Sequence, residues 1–292
     1  MPGWPKCWAL EVGVGIPGPT PGRASSAPTL VVVTNGNHFA RLILEPALSD
    51  PRWRVLGIVH IIGDHTGNTG LRSAIAVGRR TTVPYLMYKV ACAAAFAIAR
   101  SVGHGLGRDV ESLAREQGID VVRARHVRET RVSEFIAGRV PDFLISVSCP
   151  QRLPAWILGL ARRASLNVHC SLLPAYAGLA PYFWVLANNE RETATTVHYM
   201  VPKLDAGCVL VQARSPILPG ISAFALFERL ARLGGEALRN GLALAIEGDP
   251  GREQPTGGRS YFSHPDWQSY LRLRKHGHRL CRIGELARAV RE

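Results

Sequence analysis

From Thr29 onward, short apolar runs alternate with stretches of helical periodicity. TLVVVTNG (29–36) is a continuous Val-rich run closed by Asn-Gly, and RVLGIVHI (54–61) is a second such run. Unbroken apolar runs of this length suit strands buried on both faces. A helical stretch lies between them, near 37–48. DVESLAREQG (109–118) reads as a helix with Asp109 at its start and Gly118 at its end. IDVV (119–122), a helix near 131–139 and DFLISVS (142–148) continue the alternation. After Pro154 come a helix (PAWILGLARR), a strand (SLNVH), a Pro/Gly loop and a helix near 180–189. TTVHYMV (195–201) alternates as a half-buried strand does, and CVLVQ (208–212) follows it. FALFERLARLGGEALRNGLALAI is a long helix ending near 246. This order predicts an α/β fold around a mostly parallel, doubly wound sheet.

The segment TTVPYLMYKVACAAAFAIARSV (81–102) is apolar, but Lys89 and Arg100 bracket an uncharged run of only ten residues. A membrane span needs about 20. The expectation is a buried or groove-lining helix, and no membrane partner. Residues 1–28 contain PGPTPGRASSAP, a composition that favours a flexible arm. Pro5, Pro17 and Pro19 interrupt any apolar core after Lys6, so no secretory signal is read there. GDPGREQPTGG (248–258) reads as a linker. The expected organisation is an arm over 1–28, a catalytic domain over 29–247, and a linker with a small basic tail over 248–292.

Hydrophobic residues make up 47% of the 292, enough for a sizeable core. The formal charge of +13 invites a nucleic-acid or anionic-ligand reading. Only Lys6, Lys89, Lys203 and Lys275 are lysines, however, and the Arg residues are scattered without a long basic block. That usage looks compositional, and no nucleic-acid partner is expected. The six Cys (7, 92, 149, 170, 208 and 281) form no C-x-x-C pair, and no His spacing completes a zinc pattern. The expectations are no metal and a reducing, cytoplasmic setting.

The segment with chemical content is SLNVHCSLLPAYAGLAP (165–181). Alternate residues of a strand share a face, so Asn167 and His169 point the same way. A polar pair at the end of an apolar strand lies where open α/β sheets bind ligands. Asp205 follows in an LDAG turn between two strands, so an amide, an imidazole and a carboxylate can converge at one sheet edge.

N-x-H-x-S-L-L-P-x-Y-x-G (167–178), then T-x-x-H (195–198) and D-x-G (205–207), resembles the signature of the 10-formyltetrahydrofolate-dependent formyltransferases. These include glycinamide ribonucleotide, methionyl-tRNA and amino-sugar formyltransferases and related hydrolases. PDFLISVSCPQRLP (141–154) also resembles the strand and donor-binding loop of that family. The resemblance implies a Rossmann-like formyltransferase fold with a short C-terminal appendage. It implies 10-formyltetrahydrofolate as formyl donor and Asn167, His169 and Asp205 as catalytic residues. It further implies that Gln151, Arg152, Leu153, Val201, Lys203 and Leu204 line the donor. In such a site Asn167 and protonated His169 donate to the oxygen on which charge develops, each donor worth about 3–4 kcal/mol. Asp205 favours the imidazolium form and takes the proton of the attacking amine. The acceptor expected is a small amine, such as an amino sugar or natural-product amine. Alternatives are hydrolysis of the donor, formylation of methionyl-tRNA, and a non-enzymatic folate- or nucleotide-binding module. His198 is expected to play a structural part, and Ser171, lacking a G-x-S-x-G elbow, is not expected to be a nucleophile. Two departures stand out. Ala177 occupies a loop position where many relatives carry a basic residue, and TNGN (34–37) is a thin version of a Gly-rich phosphate loop. Tyr182, Phe183 and Trp184 are either an acceptor-facing wall or helix core.

Overall fold

Strand β1 (Thr29–Thr34) buries nearly all of its side chains, which only a central strand covered on both faces can do. In a computed structural model describing residues 27–103 and 106–292, it is an interior strand, third from one edge, of a seven-stranded sheet. Most of the arm expected over 1–28 lies outside the described residues. Helix α1 (His38–Leu48) follows, capped by Asn37, whose side chain accepts from the Ala40 amide. Next come β2 (Arg54–Ile61), the helices α2 (Gly70–Gly78) and α3 (Val83–Val102), then α4 (Val110–Glu116) and β3 (Val121–Ala124). Helix α5 (Thr130–Ala137), β4 (Phe143–Val147), the single-turn α6 (Ala155–Leu158) and β5 (Ala164–His169) complete the parallel part. The two-residue β6 (Ala177–Gly178) and α7 (Pro181–Ala187) lead to the hairpin of β7 (Glu192–Tyr199) and β8 (Val209–Pro216). Helix α8 (Ala223–Glu247) is followed by β9 (Tyr261–Phe262), α9 (Trp267–Lys275) and α10 (Ile283–Ala289).

The strand order is β3-β2-β1-β4-β5-β7-β8, parallel from β3 to β5 and antiparallel for β7 and β8. Leu30 and Val32 join the core under α1, α7 and α8, whereas Val31 and Val33 join the core under α5 and α6. Period-two alternation within an all-apolar strand thus serves two cores at once, as a doubly wound sheet requires.

Registers Thr34↔Val147 and Val147↔Val168 bring the carboxyl ends of β1, β4 and β5 level. The turn at 35–37, the loop at 148–153 and the segment after His169 therefore leave the sheet side by side. Strand β8 runs to Pro216, beyond the expected end at 212, paired along its length with β7. The helix expected from PAWILGLARR closes after one turn.

Helix α3 lies over the cavity but leaves Val83, Met87, Ile98 and Val102 exposed. It lines a groove more than it fills a core. It is also the one helix among the described residues long and apolar enough to cross a membrane.

The segment expected as a linker is built into the domain. Arg252 bridges Val209, and Gln254 donates to the carbonyls of Asp205 and Gly207 at 3.0 and 2.9 Å. The remaining residues form two short helices and one two-residue strand, which pairs with β6.

Candidate active site

Asn167 and His169 leave β5 on the same face, and β7 supplies His198 directly opposite Asn167. Asn167 Nδ2 donates to His198 Nε2 at 3.2 Å, and His198 Nδ1 donates to the Tyr199 carbonyl at 2.8 Å. That pattern is the neutral tautomer. Burial, partly opposed by the Asp205 charge, keeps the His198 imidazole below its ordinary value. His198 thereby fixes the amide of Asn167, leaving its second N–H free for the cavity. The sequence reading gave His198 a structural part; here that part is to orient a proposed catalytic group.

Asp205 occupies a turn at φ 48°, in the left-handed region. Its Oδ2 lies 3.9 Å from His169 Nδ1 and its Oδ1 lies 3.8 Å from His198 Nε2. The Gly178 amide donates to Oδ2 at 2.9 Å. Burial opposes the charged carboxylate, but His169, His198, the Gly178 amide and Arg259 together hold the carboxyl below its usual value. Asp205 is therefore a mostly buried anion at the cavity wall, facing two imidazoles. His169 Nε2 donates to the Tyr176 carbonyl at 2.9 Å, which turns Nδ1 toward Asp205.

The motif glycines are explained by contact. Gly178 sits at φ 98°, and a Cβ there would lie 2.3 Å from the Phe262 carbonyl oxygen. A Cβ on Gly207 would lie 1.9 Å from the Tyr199 carbonyl oxygen. Both let backbone close over Asp205. The loop between β5 and β6 contains a cis Leu173–Pro174 peptide. Ser171 is fully buried and its hydroxyl donates to the Ala175 carbonyl at 2.9 Å, so it faces its own loop.

One cavity of about 1190 Å³ is lined by Asn167, His169, His198 and Asp205. Gln151, Arg152, Leu153, Val201, Lys203 and Leu204 line it too, so the structure brings all nine expected site residues to one place. They are not equally free. The Gln151 amide accepts from the Val127 amide at 2.9 Å and donates to the Asp64 and Arg125 carbonyls at 2.6 and 2.8 Å. It ties three loops together with both of its N–H donors committed. Arg152 donates to the Pro202 carbonyl, closing one donor loop onto the other. Phe183 and Trp184 are core, and Tyr182, equally buried, borders the cavity and bonds Tyr85 through their hydroxyls at 2.8 Å.

The turn at 35–37 spends its amides on itself. Gly36 N donates to Thr34 Oγ1, Asn37 N to Asn35 Oδ1 and Ala40 N to Asn37 Oδ1. Sequence reasoning missed Gln254, Arg259 and Ser260. Arg259 donates to the Leu204 and Asp205 carbonyls, and the Ser260 hydroxyl accepts from the Tyr176 amide at 2.9 Å. A Pro/Gly-rich stretch carries no local signal that it will cross a site. Among the described residues, no group of three or more His, Cys, Asp or Glu side chains gathers to hold a metal.

A family model described as Formyl transferase matches residues 29–242, and the chain belongs to that family. A methionyl-tRNA formyltransferase of Limosilactobacillus fermentum is 36% identical over 140 residues, 48% of this chain and 44% of that protein. The match thus spans less than half of that relative's own length. An N-formyltransferase from Helicobacter canadensis, solved with folinic acid and dTDP-3-aminofucose, superposes with a TM-score of 0.53 at 16% identity, covering 81% of this chain and 71% of that one. Phosphoribosylglycinamide formyltransferase from Anaplasma phagocytophilum gives 0.55 at 17%, covering 82% and 99%. These likenesses show the Rossmann-like formyltransferase fold.

Proposed function

We propose that the chain transfers a formyl group from 10-formyltetrahydrofolate to the amine of a small acceptor, with Asn167, His169 and Asp205 as the catalytic residues. The observation that carries this is the buried Asp205 carboxylate facing His169 and His198 in a cavity wide enough for two molecules. Ligand pockets commonly run to about 300–1,000 Å³, and this one is about 1190 Å³. The donor supplies an activated formyl carbon. Asn167, oriented by His198, gives one N–H to the oxygen on which charge develops, and His169 gives a second from Nδ1. The acceptor amine attacks the formyl carbon, Asp205 takes the amine proton, directly or through water, and the donor C–N bond breaks as that proton passes to the departing tetrahydrofolate nitrogen. The loops carrying Arg152, Leu153, Val201, Lys203 and Leu204 form the donor wall, largely through backbone.

Methionyl-tRNA formylation is the second reading. It is favoured by the identity to methionyl-tRNA formyltransferases and by the +13 charge. After α8 the chain crosses the Asp205 turn through Gln254 and Arg259 and then forms the short helices α9 and α10. The test is incubation with 10-formyltetrahydrofolate and a panel of amino sugars, sugar nucleotides and charged initiator tRNA, read by product mass. A formylated small amine is expected. Formyl-methionyl-tRNA as the sole product would select the second reading, and formate alone would select hydrolysis.

A further inference from the structure

The cavity extends from the triad to the hairpin of α2 and α3 and to the segment after β9. Four side chains able to carry positive charge line that end: His65, Arg80, Lys89 and His264. Arg80 donates to His65 Nε2, and the His65 and His264 ring centroids are 5.7 Å apart. Thr81 Oγ1 donates to the Pro265 carbonyl at 2.8 Å, tying hairpin to tail. His264 Nε2 is buried with no hydrogen-bond partner among the described residues. Neither Arg80 nor Lys89 has a carboxylate in ion-pair contact among the described residues. The nearby acid, Asp64, uses Oδ1 on Thr66 and Asn68.

Such a gathering is electrostatically costly on its own. Burial first, then His65, Arg80 and Lys89, hold the His264 imidazole below its ordinary value against the pull of Asp64. Burial lowers the Lys89 ammonium as well. An anion would relieve both the repulsion and the missing hydrogen bonds. The turn at 35–37, the other candidate for holding a phosphate, has its amides committed internally.

We propose that His65, Arg80, Lys89 and His264 form an anion subsite that holds a phosphate group of the acceptor while its amine reaches Asp205. The proposal rests on the reading of the cavity as a formyl-transfer site. Carboxylates of the folate donor present similar chemistry, but Arg152 and Lys203 serve the donor loops, on different elements from the hairpin cluster.

The test is calorimetric titration of inorganic phosphate into the full chain. Binding at about 1 mM or tighter is expected. Lys89→Met should weaken it about tenfold or more, and Lys89→Arg should restore most of it. Lys89 makes no hydrogen bond among the described residues that Met would break. Equal affinity in wild type and Lys89→Met, or no phosphate uptake at that level, overturns the proposal. The titration is repeated with saturating 5-formyltetrahydrofolate. Phosphate binding that persists supports an acceptor subsite, whereas its loss gives the cluster to the donor's carboxylates and overturns it. A chain that binds phosphate through Lys89 yet takes up no donor keeps the anion subsite and overturns the formyl-transfer reading.

Discussion

The catalytic turn and the hairpin of α2 and α3 meet in one cavity but are built on opposite principles. Around Asp205 a dense set of hydrogen bonds fixes the groups: the Gly178 amide on its carboxylate, Gln254 and Arg259 on its carbonyl, Asn167 on His198. Around Lys89 no carboxylate is in ion-pair contact with Arg80 or Lys89 among the described residues, and α3 turns apolar side chains to the outside. A satisfied network is rigid and fixes positions for chemistry. An unsatisfied one is free to answer a ligand. On the proposed reading, the difference teaches that the chemistry is held on the sheet and recognition is left to insertions at the sheet's edge.

Removing the proposed oxyanion donors should break the rigid side most severely. His169→Ala and Asn167→Ala are each expected to lower kcat by about 10²–10³ while far-UV circular dichroism stays unchanged. Either variant turning over near the wild-type rate would remove its residue from the chemistry. Asp205→Asn tests proton handling in the same network. Because the carboxyl sits below its ordinary value, the wild-type rate should stay insensitive to Asp205 protonation down through the usual carboxylate range. The Asn variant should be slower throughout, and one with unchanged rate and pH profile would contradict the assignment.

Gly178→Ala sharpens the comparison through backbone alone. The new methyl would lie 2.3 Å from the Phe262 oxygen at φ 98°. A cost of about 2–3 kcal/mol in stability is expected, with a kcat loss of tenfold or more as the amide leaves Asp205. Unfolding in urea and steady-state kinetics check the two effects separately. The same substitution at Gly70, on the hairpin, meets no atom within 4 Å, though its φ of 56° still strains it. It should leave kcat unchanged.

How far each region was legible in the sequence follows the same division. The strands of the parallel sheet announce themselves because burial on both faces favours apolar residues, and β1 and β4 are mostly apolar runs. Asn167 and His169 are readable because strand periodicity alone puts them on one face. His198 was visible as a motif residue, but its grip on Asn167 depends on the β5–β7 register, which no local pattern encodes. Gln254 was read as linker and Arg259 and Ser260 as tail, since their partners, the Asp205 carbonyl and the Tyr176 amide, lie about fifty or more residues away. The cationic cluster joins residues 65, 80, 89 and 264, and only the closed fold brings them together.

A smaller effect is expected where α4 meets the sheet. Glu111 accepts from Arg123 Nε at 2.6 Å and contacts His60 Nδ1 at 2.5 Å, and His60 Nε2 faces the Asn35 carbonyl at 2.9 Å. This chain of contacts braces the turn at 35–37 from behind. The hydrogen bonds of Arg123, outweighing burial and joined by His60, pull the Glu111 carboxyl from 4.5 down to about 2. Its folded value is depressed, so the stabilisation is fully present above 4.5 and is lost as pH falls toward 2. After allowance for solvent screening it should amount to about 2 kcal/mol. Urea unfolding of wild type and Glu111→Gln across that window checks it. Curves that converge at the acid end are expected, and a constant gap would show that Glu111 acts by packing and not by charge.

The smallest effect separates the formyl-transfer chemistry from a nucleophilic one. Ser171 lies two residues beyond His169, close enough in sequence to suggest a serine–histidine pair. Its hydroxyl instead donates to the Ala175 carbonyl, while its own carbonyl accepts from Thr196 Oγ1 at 2.6 Å. The Leu173 amide and Gln212 complete that network on the side of the loop away from Asp205. Ser171→Ala deletes one neutral hydrogen bond and leaves one buried carbonyl short of a partner. It should cost about 1 kcal/mol of stability and leave kcat within about threefold of wild type. A covalent nucleophile would instead lose several orders of magnitude on the same substitution. Kinetics and melting of this one variant therefore decide whether the loop after β5 is support for the triad or a member of it.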